Sequence, residues 1–270
     1  LKRAFKKVSE GSATQDDLTV VRRGLRERLL HHGIAGRDDE RDPTKLVFTG
    51  DENKLLVETT ASMPGAAGTH DFHGEVVIRT DYAQGAADTV RVLADRAPQV
   101  QAMPMSVQNT LLSRLNVYVH EELHGASAAN GSAYQGAGVG MEEAATEILA
   151  RKVTREMVGH TSATTGALSL PTRKPDGGYR VDAGESGAYF GPYNGYIGAL
   201  LRETGEVHGH TGVHERVERA CLQTRSSAIT GRWNRPADQI HAYVDAVGGT
   251  PAQRRDLFDR LVRELPRVRS

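Results

Sequence analysis

The chain has 270 residues, enough to bury a substantial core without disulfide staples. Its 34 basic and 34 acidic residues cancel, so no overall field marks it for nucleic acid or an anionic membrane. A single cysteine, Cys221, excludes an internal disulfide framework and a cysteine-rich metal site, and no apolar run reaches the ~18–20 residues of a membrane helix.

Leu18, Val21, Leu25 and Leu29 recur three or four residues apart, so the first 30 residues read as helical. That stretch is basic, through Lys2, Arg3, Lys6, Lys7, Arg22, Arg23, Arg26 and Arg28. Arg254, Arg255, Arg260, Arg263, Arg267 and Arg269 repeat the pattern at the other end. Solvated faces of terminal helices account for both; a docking surface for a partner is the functional alternative. The sequence opens on Leu1 with no apolar signal-peptide region, which suggests a trimmed or excised segment and leaves the compartment unassigned. His31 and His32 end the first helix, where positive charge suits the dipole.

A charged linker closed by Pro43 leads to three β-branched stretches bounded by turn residues, 45–50, 53–60 and 74–80, which read as strands. Residues 83–97 lean weakly towards a helix. Past Pro104, Ser106 is the expected N-cap of a helix over 107–124, with Leu111, Leu112, Leu115 and Val119 as its apolar stripe and Gly125 at its end. A glycine-rich loop covers 125–140, and a second helix runs from about 141 into the 150s. Residues 160–192 read as a long loop with "KPDGGY" as a turn inside it. Helices follow at 193–204 and 212–227, and two more after Pro236, the last begun by Thr250 as N-cap and Pro251. The fold class is therefore α+β, with a small sheet, mainly antiparallel or mixed, ahead of a helix pair and a helical C-terminal part. Three segments are expected: a helical arm or pro-like segment at 1–43, a main domain at 44–230 and a helical extension at 231–270.

The chemistry concentrates at "HEELH", residues 120–124. On a helix, residues four apart project from one side, so His120 and His124 can offer ring nitrogens to one Zn²⁺. Glu121 is rotated about 100° from His120, better placed to take a proton from a water than to ligate. The alternative is two histidines on an ordinary polar helix face. A third ligand decides between them. Ser127 and Asn130 exclude a further histidine at the short spacing, whereas "MEEAATE" supplies Glu143, 19 residues past His124. Glu147, one turn on, can accept the N–H of a ligand histidine and fix its tautomer. Ala144 and Ala145 keep that helix slim, and Glu142 reads as an acidic helix-start residue, or as the ligand if the register slips by one.

Together, "HEELH" and "EEAATE" resemble the gluzincins, the thermolysin-like branch of zinc metallopeptidases, whose pattern is H-E-x-x-H followed by E-x-x-x-D. Glu147 stands where the aspartate would be, and the interval is one residue shorter than in thermolysin. The resemblance covers residues 120–147 of 270, the site rather than the whole fold, and the compact size is similar to that of short gluzincin domains of phage or toxin type. It implies a zincin-like catalytic domain with Zn²⁺ held by His120, His124 and Glu143, Glu121 as general base, and a polypeptide substrate. It also implies an oxyanion donor: Tyr134, nine residues before Glu143, and a downstream histidine, for which His210 is chosen over His208 and His214.

Other features have blander explanations. His208, His210 and His214 fit polar residues at a helix start, with a separate surface metal site as the alternative. His70, Asp71 and His73 fit a turn before a strand. Tyr189, Phe190, Tyr193 and Tyr196, in "GAYFGPYNGYIGALL", fit core and loop packing, with a lid or pocket wall as the functional use. Strand 74–80 is the candidate edge strand for pairing with an extended substrate. The rivals to a metalloendopeptidase are a structural or delivery protein with a non-catalytic zinc site, and a zinc hydrolase of non-peptide amides.

Overall fold

Helix dominates the computed structural model of the chain, which describes residues 2–31, 35–36, 46–47, 55–58, 68–70, 76–87, 89, 105–124, 132–158, 168–181, 191–226 and 233–268. The basic opening forms two helices, α1 (Lys2–Ser9) and α2 (Gln15–His31). The break follows from Gly11, whose φ of 69° ends α1 in the left-handed region that glycine adopts freely. Thr14 then begins α2. Its hydroxyl accepts the Asp17 backbone N–H at 3.3 Å while the Asp17 carboxylate accepts the Thr14 N–H at 2.9 Å. Lys7 and Thr14 together hold the Asp17 carboxyl well below its ordinary range.

Two units divide the chain. The first comprises Leu1–Asp39, Phe48–Ala126 and Ala150–Ser169. It holds α1, α2, β1 (Ala35–Gly36), β3 (Leu55–Glu58), β4 (Gly68–His70), β5 (Val76–Arg79), a short helix α3 over 80–87, and α4 (Met105–His124). β5 lies at the centre of a mixed three-stranded sheet, parallel to β3 and antiparallel to β4. Val76 and Ile78 alternate into the core with zero exposure, the period-2 pattern of a half-buried strand. This position overturns the expectation that strand 74–80 serves as an edge for substrate: both of its sides are already paired. His70 lies on β4 and not in a turn.

α4 starts at Met105, so Ser106 lies inside the helix and is not its N-cap. Leu112, Leu115 and Val119 are buried as expected. The C-terminal part of α5 (Ala137–Val158) belongs to the same unit; there the Thr154 hydroxyl donates to Asn116 Oδ1 of α4 at 3.2 Å, both side chains fully buried. Arg151 and Arg155 bind the returning chain through the Ser169 and Leu168 carbonyls.

The second unit comprises Glu40–Val47, Ser127–Leu149 and Leu170–Ser270. It contains β2 (Leu46–Val47), the first part of α5, the hairpin β6 (Thr172–Arg173) and β7 (Tyr179–Arg180), and four helices, α6 (Gly191–His208), α7 (Val213–Ser226), α8 (Pro236–Val247) and α9 (Pro251–Glu264). "KPDGGY" is the hairpin turn, closed by the Lys174 N–H on the Gly178 carbonyl at 2.8 Å. Ile197, Leu200, Leu201, Val217, Cys221, Ile240, Tyr243, Leu257 and Leu261 are buried where the four helices meet, and Cys221 is in no disulfide. Tyr243 shares a hydrogen bond with Thr204 at 2.8 Å, and burial pushes its hydroxyl pKa well up. Thr250 caps α9 as the sequence indicates, its hydroxyl accepting from the Gln253 N–H at 3.2 Å. Thr250→Ala should cost about 1 kcal/mol of stability, readable as a lower urea midpoint with an unchanged m-value.

The expected linker at 37–43, most of 89–104, the loops 125–131 and 159–167, and the segment 182–190 with Tyr189 and Phe190 lie outside the described residues, as do Asp71, His73 and the side chains of Leu25, Leu29 and Leu111. The basic termini are only partly solvated faces. Arg22 is completely buried, which corrects its reading as an exposed charge.

Candidate metal centre

α4 carries the pentad in its last turn and a half. His120 and His124 are 1% and 2% exposed, and their Nε2 atoms face each other at 3.0 Å with the rings edge to face. Four-residue spacing on a helix produces this approach. Two neutral imidazoles cannot turn lone pairs at each other favourably, so a proton or a cation has to lie between them. Two nitrogens on one tetrahedral zinc at about 2.0–2.1 Å would stand about 3.4 Å apart, within a few tenths of an ångström of the observed separation.

Glu143 occupies the second turn of α5, which begins at Ala137 and so starts earlier than the sequence suggested. One ligand atom from each of His120, His124 and Glu143 lies within 4.8 Å of the other two, the one such group of three among the described residues. Two imidazoles and one carboxylate suit Zn²⁺, which takes nitrogen and oxygen donors and leaves a fourth position open in catalytic sites. Glu142 does not compete. It sits past the first turn of α5, buried, with its carboxylate accepting from the Thr146 hydroxyl at 3.3 Å. Glu147 is fully buried one turn beyond Glu143, and Ala144 and Ala145 are buried beside it.

The turn at 132–136 carries Tyr134, whose hydroxyl donates to Glu143 Oε1. In this structure that hydroxyl therefore steadies the Glu143 carboxylate. The turn needs Gly138: a Cβ there would meet the Ala133 carbonyl oxygen at 2.0 Å. Gly138→Ala must displace the backbone that carries Tyr134, at a cost of about 1–3 kcal/mol, to be read from denaturant unfolding. Gly140 similarly admits the Tyr196 ring, which an added Cβ would approach to 3.0 Å. Tyr196 is thus packed against α5, and the part of the aromatic segment that is described is helix rather than a free lid.

Glu121 is 6% exposed. His210 follows α6, its Nδ1 2.9 Å from the Tyr179 hydroxyl and its Nε2 3.3 Å from Glu206 Oε1. Burial raises the Tyr179 hydroxyl pKa, keeping it a neutral partner for that ring. His214 Nε2 donates to the Pro171 carbonyl at 2.8 Å. His210 and His214 therefore hold polar and backbone contacts, whereas His208 Nε2 is buried with no hydrogen-bond partner among the described residues; the three form no metal group among them. Sequence reasoning missed Arg22, Tyr118 and Glu122, whose side chains meet behind the pentad. The four-residue spacing of Tyr118 and Glu122 was a local signal for their pairing, but nothing announced Arg22, 100 positions from Glu122.

Comparison with known protein families, curated proteins and solved structures finds no match to the chain.

Proposed function

We propose that the protein is a zinc-dependent metalloendopeptidase of zincin-like fold, with His120, His124 and Glu143 as the metal ligands. The single observation that carries this reading is the convergence of those three donor atoms within 4.8 Å. Zinc held there would supply Lewis acidity, polarising a scissile carbonyl and making water a nucleophile near neutral pH. Glu121 takes the proton from the attacking water on its carboxylate and hands it to the leaving amine nitrogen. Tyr134 swings its hydroxyl from Glu143 to the developing oxyanion, and His210 is the second candidate donor. Glu147 holds the ring N–H of a ligand histidine. An extended peptide would pair with β4, an edge strand packed against α4, in place of the central β5.

Burial of both histidines favours one other reading, a closed zinc site that holds the fold and hydrolyses nothing. Metal analysis together with a screen of mixed peptides separates the two. One zinc per chain with chelator-sensitive cleavage supports the peptidase. Zinc with no cleavage and a melting point lowered by chelation supports the structural site, and a folded chain that takes up no zinc removes both.

A further inference from the structure

The last polar cluster of the first unit lies on the side of α4 away from the histidines. Arg22 Nε donates to Glu122 Oε1 at 2.6 Å, and the Tyr118 hydroxyl donates to the same oxygen at 2.8 Å. The Arg22 and Glu122 side chains are 0% and 1% exposed, and Tyr118 is buried. Glu122 is two residues from His120 and two from His124, a rotation of about 200° from each. The helix thus carries its metal-capable rings on one side and a buried, charge-assisted anchor on the other.

We infer that Arg22, through Glu122 and Tyr118, is a positioning residue that sets the rotation of the motif helix, which makes α2 a structural support of the metal centre rather than a removable pro-segment. The inference rests on the zinc reading. An apolar contact sets the rotation of a helix less sharply, because the hydrophobic attraction itself has no direction. A guanidinium and a phenol on one carboxylate oxygen set it closely: rotation would pull that oxygen from both donors and break a buried, charge-assisted contact. α2 is itself held fast, with Leu18, Val21 and Arg22 buried, its first turn closed by the Thr14–Asp17 cap, and Asp17 bound to Lys7 of α1 at 2.8 Å. Fixing register and orientation is the best-attested use of buried polar groups, for which apolar replacements of similar volume often match or exceed the original stability.

The test is the triple variant Arg22→Met/Tyr118→Phe/Glu122→Met in the full chain, compared with wild type by melting midpoint, zinc affinity and the visible spectrum of the cobalt-loaded protein. A midpoint near that of wild type, with zinc affinity lowered about tenfold or more and an altered cobalt spectrum, is the expected result. Unchanged affinity and spectrum would show the cluster to be packing alone and overturn the inference. Should the triple variant not fold, Arg22→Lys, which keeps the charge and loses the guanidinium geometry, decides: lower affinity at an unchanged midpoint supports the positioning role, and wild-type affinity sinks it. Wild type that binds no zinc overturns the metal reading and this inference together, whereas wild-type binding with indifferent variants overturns this inference alone.

Discussion

Glu143→Ala is expected to lose zinc by far more than the roughly 10–100-fold that follows removal of an outer partner of a metal ligand. With His120 and His124 alone the ion would keep two protein donors and lose the only charged one of the three. Glu143 is only partly buried, so its removal should leave the fold near wild-type stability and make metal content interpretable. Glu143→Gln sharpens the test. It still accepts the Tyr134 hydroxyl bond but carries no charge, and should bind zinc far more weakly than wild type. Full zinc occupancy in Glu143→Ala, by mass spectrometry after dialysis at micromolar metal, would remove Glu143 from the ligand set. Glu147→Gln is the graded control, expected to weaken binding within the 10–100-fold range.

What was legible in the sequence follows physical range. The His120–His124 approach is a property of one helix, fixed by four-residue spacing, and could be read from the pentad. The cap at Thr250 and the turn at Lys174–Gly178 are equally local. The starts of α4 and α5 were displaced because glycine and serine near a boundary are compatible with both turn and helix, and Gly138 and Gly140 proved to be helical glycines required by close packing. Strand order was beyond reach. Period-2 alternation shows that Val76 and Ile78 face a core, but not whether another strand flanks each side of β5. Arg22 was read as solvated because arginine usually is; only tertiary structure reveals a carboxylate 100 residues away waiting for it.

Glu121→Gln should separate binding from catalysis more cleanly than any other change. The amide has nearly the size and shape of the carboxylate, and at 6% exposure Glu121 has little freedom to be replaced by anything larger. It follows His120 by about 100° of helical rotation, so it is not required as a third ligand, and zinc content should stay at that of wild type. Peptide cleavage should fall by roughly 10²–10⁴-fold in kcat/KM, the span attributed to a positioned general acid–base group. An amide nitrogen cannot accept the proton of the attacking water, and the opposite end of the reaction then lacks its donor to the leaving amine. The loss should appear in kcat rather than KM, because the carboxylate acts on the reacting proton and not on ground-state binding. Lost zinc in Glu121→Gln would make the residue a ligand, whereas full activity with zinc retained would leave the proton to another group. Zinc retained with kcat lowered and KM unchanged assigns Glu121 the base role, because a defect in substrate binding would raise KM instead.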